Sequence, residues 1–252
     1  MRFNDGAVDA RGRFWAGSMT DNSTNPVKNE GALFRLDSSL QTSTTSLGET
    51  DSFKLSTQLS PVLIPNGIGW SPNKPGKMFF TDSPSRTIWQ YDYSDVEGTI
   101  SNPRPWFVLD GTIELSKTET KYPSTSITST ANTTSGTQLF TFDDSMVPDG
   151  FQFDADGNLW TAVWGAGMVL RLEQHSETDS PVVTGVVRVP ARCSSCCRFA
   201  KGGGMLITTA SEEEPDKFGE GGSGAGRLFW VDVGVEGSET WKFGRPVEEN
   251  ES

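Results

Sequence analysis

Histidine is almost missing from this chain: His175 is the only one in 252 residues. That excludes a histidine-rich zinc site, a histidine dyad and a conventional Ser-His-Asp triad, all of which need more imidazole or imidazole better placed. His175 itself sits in the polar run Glu173-Gln174-His175-Ser176-Glu177, which reads as an exposed turn. Cysteine is scarce, with three residues crowded at 193, 196 and 197. An odd, clustered set reads as free thiols rather than a disulfide framework. Positive charge is short as well, 21 Lys and Arg against 33 Asp and Glu, for a net charge of −12. Phosphate would be repelled, so the expectation is no nucleic acid and no membrane among the partners. A small neutral or cationic ligand, or a divalent metal, suits this balance. No apolar run approaches the ~20 residues that span a bilayer, and the N-terminus shows no charged-then-apolar leader. The expected location is therefore cytoplasmic. Amphipathic periodicity over ten or more residues, the mark of a surface helix, is also absent.

What the chain has in quantity is strand material. It carries 27 Gly, 14 Pro, 15 Phe and 8 Trp, a composition that suits many short strands closed by tight turns. Strands are expected at Arg13–Met19, Ala32–Leu36, Lys77–Thr81, Thr87–Tyr93, Trp106–Leu109, Gln138–Phe142, Leu159–Trp164, Met168–Leu172, Val182–Val189, Met205–Thr209 and Arg227–Val233. Two Ser/Thr-rich stretches, 38–60 and 112–137, lack periodic apolar residues and read as long loops or insertions. Glu212–Ala225 reads as a third loop. The expected organisation is one all-β domain over 1–245 followed by an acidic tail, 246–252.

The strands belong to a repeat. Asn4-Asp5-Gly6, Asn66-Gly67 and Asp149-Gly150 each place an amide or carboxylate before glycine at the head of a similar strand-turn-strand unit. A fourth unit puts Cys196-Cys197-Arg198-Phe199 at the same place. A bare unit of about 45 residues is the length of a four-stranded propeller blade. In such an architecture, residues at the same place in each unit converge on one axis.

Arg2-Phe3-Asn4-Asp5-Gly6-x-Val8-Asp9-x-x-Gly12-Arg13-Phe14-Trp15-Ala16-Gly17-Ser18-Met19 closely resembles a motif of the regucalcin/gluconolactonase (senescence marker protein) family. So do Pro65-Asn66-Gly67-Ile68-x-Trp70-Ser71, Pro148-Asp149-Gly150, Gly157-x-Leu159-Trp160 and Ser195-Cys196-Cys197-Arg198-Phe199, in the family's order. The resemblance implies a six-bladed β-propeller, here N-terminally truncated to about four blades, with one divalent metal ion at the top of its channel. It implies that Asn66 and Asp149 are metal ligands, that Asp149 is also the general base, and that Arg2 and Asn4 contact substrate. The substrate class it implies is a sugar lactone. The family's further ligand, a Glu in a Gly-Glu-Gly-Pro motif, has no counterpart here, and open blade edges imply self-association.

The residues themselves carry compatible chemistry. Asn4, Asn66 and Asp149 offer oxygen donors, which suit Ca2+, Mg2+ or Mn2+, with Zn2+ a further candidate. Such a cation polarises a lactone carbonyl and acidifies water, a carboxylate takes the proton, and Arg2 holds a hydroxyl or the developing carboxylate. Two functions follow. The first is metal-dependent hydrolysis of a sugar lactone. The second is a non-catalytic truncated propeller remnant, or an incomplete gene product, with residual metal or partner binding. Local readings stand beside these. Asn66-Gly67 and Asp149-Gly150 read equally as left-handed turn pairs, and Arg2 as a disordered terminal residue. Asp9, Asp154 and Asp156 read as structural turn acids, Trp15, Trp70 and Trp160 as inter-blade core, and the three cysteines as small buried hydrophobes.

Overall fold

The computed structural model describes residues 1–21, 26–38, 53–116, 137–174, 180–211 and 224–244. Four antiparallel sheets follow one another along the chain. The first is β1 (Arg2–Val8), β2 (Phe14–Met19), β3 (Gly31–Ser38) and β4 (Phe53–Val62), and the second is β5 (Pro65–Trp70), β6 (Lys77–Asp82), β7 (Thr87–Ser94) and β8 (Thr99–Val108). A hairpin of β9 (Thr112–Ser116) and β10 (Thr137–Thr141) precedes the third, β11 (Val147–Phe153), β12 (Leu159–Trp164), β13 (Met168–Gln174) and β14 (Pro181–Arg188). The fourth has three strands, β15 (Ser194–Phe199), β16 (Gly204–Thr209) and β17 (Leu228–Asp232). The leading strands touch in order, β1 on β5, β5 on β11 and β11 on β15. The sheets are therefore blades about a shared axis, a four-blade propeller arrangement.

Period-two alternation builds the core, because successive strand residues face opposite sides of a blade. On β6, Met78 and Phe80 pack with Trp15 and Leu33 of the first blade, whereas Phe79 packs with Phe151 and Phe153 of the third. On β12, Leu159 and Val163 face the second blade, and Trp160 and Ala162 face Cys197, Met205 and Ile207 of the fourth. Full burial of each such side chain contributes roughly 1.5–3 kcal/mol, so the blades are held together by the same alternation that forms them.

The β1–β2 and β11–β12 turns repeat one device. Asp9 and Asp154 are completely buried. Asp9 accepts hydrogen bonds from the Arg11 and Arg13 backbone N–H groups at 3.0 Å each, from Trp15 Nε1 at 3.0 Å, from Tyr93 Oη at 2.8 Å and from Arg13 Nε at 2.7 Å. Asp154 accepts from the Asn158 backbone at 2.8 Å and Trp160 Nε1 at 2.9 Å. These two are structural turn acids, as their place in the repeat predicts, whereas Asp156 is exposed.

Several local expectations change. The stretch 38–60 is not all loop: β4 begins at Phe53 and pairs with β3 from Ser38↔Phe53 to Gly31↔Val62. The stretch 112–137 likewise begins with β9, which pairs with β10. In both cases cross-strand pairing confers strand structure where apolar periodicity is weak. His175, most of Glu212–Ala225 and the tail 246–252 lie outside the described residues. Beyond β17 the chain crosses the far end of the channel as a strap. The Ala155 and Ser238 N–H groups bond Glu236 O and Phe153 O at 2.8 and 3.0 Å, and Gly244 N–H reaches Gly12 O at 2.9 Å. Phe243 packs between Phe14 and Phe53, and Trp241 lies edge-on to Trp70.

Candidate functional site

Each leading strand breaks its register at one point: between Phe3 and Gly6, Pro65 and Ile68, Pro148 and Phe151, and Ser194 and Cys196. The first three are the polar-glycine positions of the repeat, and the fourth is its cysteine counterpart. A bulge inserts an extra residue and re-aims its side chain. Here it turns Asn4, Asp5, Asn66, Asp149 and Ser195 toward one cavity of about 440 Å³, which Arg2, Ser83 and Cys196 also line. The left-handed turn reading of Asn66-Gly67 and Asp149-Gly150 is overturned, since both pairs lie within strands and neither glycine has a positive φ. The glycines serve close approach instead. A Cβ on Gly67 would stand 2.2 Å from Phe151 Cδ1, and one on Gly150 2.6 Å from Cys196 Sγ, so a side chain at either position would push the leading strands apart.

All four predicted site residues meet at this cavity. Arg2 is ordered: its Nη1 donates to Asn4 Oδ1 at 2.8 Å. Asn4 Nδ2 donates to Asn66 Oδ1 at 2.5 Å and to Pro65 O at 2.9 Å. Asn66, buried, donates through Nδ2 to Ser83 Oγ at 2.7 Å, and Ser83 Oγ donates to Pro148 O at 2.7 Å. One hydrogen-bonded line thus runs from the first blade through the second to the strand that carries Asp149. The Asp149 carboxyl is less well served, with the Gly150 backbone N–H as its donor. Burial, and then the nearby Asp5 carboxylate, push its pKa up to about 8.

Sequence reasoning missed Asp5, Ser83 and Ser195 as members of this cavity. Asp5 had a signal, since it shares the first bulge with Asn4. Ser83 had none: it sits in the short 3-10 helix Ser83–Ser85 after β6, and the fold brings it to Asn66. The cysteines divide. Cys193 and Cys197 are buried as expected, but Cys196 is only partly buried and lines the cavity. Its thiol pKa is pushed up to about 11, chiefly by burial.

Residues 1–211 match the SMP-30/gluconolactonase/LRE-like region. The chain belongs to this family. It is 28% identical over 257 residues to YvrE of Bacillus subtilis, whose name includes the words sugar lactone lactonase, covering 98% of this chain and 67% of that protein. It is 27% identical over 244 residues to the pentonolactonase XacC of Haloferax volcanii, covering 94% and 64%. A solved luciferin-regenerating enzyme superposes with a TM-score of 0.66 at 25% identity, covering 96% of this chain and 65% of that one. The chain therefore spans about two thirds of the length of the relatives it matches. A calcium-binding regucalcin from Agrobacterium tumefaciens, 20% identical with a TM-score of 0.66, shares the fold.

The donor set bears on a metal ion directly. The cavity offers amide, hydroxyl and carboxylate oxygens, the chemistry of a hard divalent cation. Among the described residues, no three His, Cys, Asp or Glu side chains gather as a metal cluster. The residues fit a hard cation in donor type, with a shell that relies on amides and has few carboxylates. No helix among the described residues is long and apolar enough to cross a membrane.

Proposed function

We propose that this chain provides the channel and channel residues of a sugar-lactone hydrolase that depends on a divalent cation. The observation that carries this reading is convergence. The bulges on the first three leading strands bring Asn4, Asn66 and Asp149 to one cavity. In this proposal Asn66 Oδ1 and the Asp149 carboxylate hold the cation, with Ca2+ or another oxygen-preferring ion favoured over Zn2+ because no imidazole lines the cavity among the described residues. When bound, the cation supplies Lewis-acid polarisation of the lactone carbonyl and a lowered pKa for water.

The chain's own groups do the rest. Asp149, as the carboxylate that the bound cation would favour, accepts the proton from the attacking water and returns it to the ring oxygen as the acyl C–O bond breaks. Asn4, fixed by Arg2 and Asn66, presents its amide beside the reacting carbonyl. Arg2 holds the ring-opened carboxylate as it forms. Ser83 is a positioning residue, because it fixes the Asn66 amide. The free thiols at 193, 196 and 197 suit a reducing compartment, so the proposal places the enzyme in the cytoplasm.

The test is hydrolysis of D-glucono-δ-lactone by chelator-treated protein titrated with Ca2+, Mg2+, Mn2+ and Zn2+. Cation-restored turnover that Asp149→Asn lowers by about 100-fold or more is the expected result. Full turnover in that variant would remove Asp149 from the mechanism. A second reading, a non-catalytic propeller with residual cation binding, rests on the amide oxygens of Asn4 and Asn66 beside the Asp149 carboxyl in one cavity. It predicts a calorimetric Ca2+ signal with no hydrolysis.

A further inference from the structure

The far end of the channel holds a second cavity, of about 210 Å³, that plays no part in the reading above. The same leading strands build it further along their length: Gly6–Val8 of β1, Ile68–Trp70 of β5 and Phe151–Phe153 of β11. The strap closes it with Ser238–Trp241, and Arg198 of β15 reaches it from the fourth blade. Trp70 and Trp241 meet edge-on at 6.3 Å between ring centroids, giving the cavity flat apolar walls.

Arg198 is the unusual member. It is partly buried. Among the described residues, its guanidinium makes one hydrogen bond, from Nη1 to the Phe151 carbonyl, and no ion pair, while the Asp5 carboxylate acts on it from beyond ion-pair distance. A guanidinium carries five N–H donors in a fixed fork. A partly buried cation with one neutral acceptor bears a desolvation cost that an anion would offset. The fork geometry selects a planar, two-oxygen anion. Glu239 lines the same cavity from the strap but is exposed, and Asp5 lines the other cavity, so no carboxylate among the described residues pairs directly with the fork. The volume, roughly seven times one water's share of liquid volume, limits a ligand to a few carbons.

We propose that this cavity binds a small organic carboxylate, with Arg198 as its anchor, the Trp70–Trp241 pair as its walls and the Ser238 and Thr240 hydroxyls as partners for hydroxyl groups on the ligand. It is a second site further along the same strands, with Arg198 within electrostatic reach of Asp5 and Cys196 of the first, and neither a cation nor turnover enters its test.

Isothermal titration of the chelator-treated chain with D-glycerate, and with glycerol as the same skeleton lacking the carboxylate, tests it. Glycerate binds and glycerol does not. Arg198→Met weakens glycerate binding about tenfold or more, the loss of a charge-assisted pair. Arg198→Lys, which keeps the charge and packing stem but not the fork, weakens it less. Glu239→Gln, at an exposed position, leaves the fold intact and tightens binding by removing a like charge. Trp241→Phe reduces the accompanying change in tryptophan fluorescence, which Trp70 then reports alone. The proposal is overturned if glycerate does not bind the wild-type chain, or if folded Arg198→Met and Arg198→Lys both bind it as the wild type does. It is equally overturned if Asp149→Asn abolishes binding while the Arg198 variants retain it, since the ligand would then occupy the other end of the channel.

Discussion

The blade turns and the channel mouth both withdraw aspartates from water, and they treat them in opposite ways. Asp9 collects five hydrogen-bond donors, two of them from side chains of its own turn and one, Tyr93, from the neighbouring blade. Asp154 collects the Asn158 and Trp160 donors and has Arg171 Nε at 3.6 Å. Asp149 has one backbone donor, a second carboxylate nearby and a pKa driven upward. Asp9 and Asp154 are fully buried and Asp149 partly so, and withdrawal from water is not the whole of what separates the structural acids from the candidate one. The donor count separates them too, because a carboxylate that the fold has saturated has nothing left to offer a ligand.

The sharpest way to break this comparison is to remove the saturated acids. Asp9→Ala leaves the buried Trp15 donor without its acceptor and takes from Arg13 its closest carboxylate, and should cost about 3–5 kcal/mol in denaturant unfolding. Asp154→Ala should fall in the same range. Asp149→Asn should leave stability close to wild type. If Asp149→Asn proved the most destabilising of the three, the division between clamp and site would be wrong.

The bulge glycines come next. Gly67→Ala places a methyl group against the Phe151 ring and 2.9 Å from Asp149 O. It should cost roughly 1–3 kcal/mol through overpacking, measured as a fall in the denaturation midpoint, and weaken cation binding by displacing the strand that bears Asp149. A Gly67→Ala variant as stable as wild type would mean that the leading strands are not in contact at this point.

A pH series gives a smaller, signed effect. Asp149 binds its proton more firmly in the fold, at about 8, than in the unfolded chain, where the ordinary value is 3.8. Its contribution is therefore fully present below about pH 4 and is lost as pH rises toward and through 8. In the cation-free chain, the midpoint should decline across that window, and Asp149→Asn should flatten the decline. An unchanged slope would show that the carboxyl is not desolvated. The smallest effect belongs to the exposed turn acid Asp156, whose replacement by Ala should stay within about 0.5 kcal/mol of wild type.

The amino-acid sequence by itself determined the strand alternation, the repeat and the family. Met78, Phe79 and Phe80 already encode a blade with two buried faces, and Asp9-x-x-Gly12-x-x-Trp15 and Asp154-x-x-Gly157-x-x-Trp160 already encode one turn used twice. It also marked Arg2, Asn4, Asn66 and Asp149, through motifs that are local in the chain. Local sequence did not distinguish a turn from a bulge at Asn66-Gly67, because both tolerate an amide followed by glycine. The neighbouring strand's approach decides between them, through Phe151 at Gly67 and Cys196 at Gly150. The same holds for β4 and β9, whose Ser and Thr residues become strand by pairing with β3 and β10. It holds too for Ser83, which reaches Asn66 from the turn after β6, and for the strap that brings Trp241 to Trp70. Those contacts join residues far apart in the chain, and their geometry is set by how the blades pack around the axis, a property that no single segment carries.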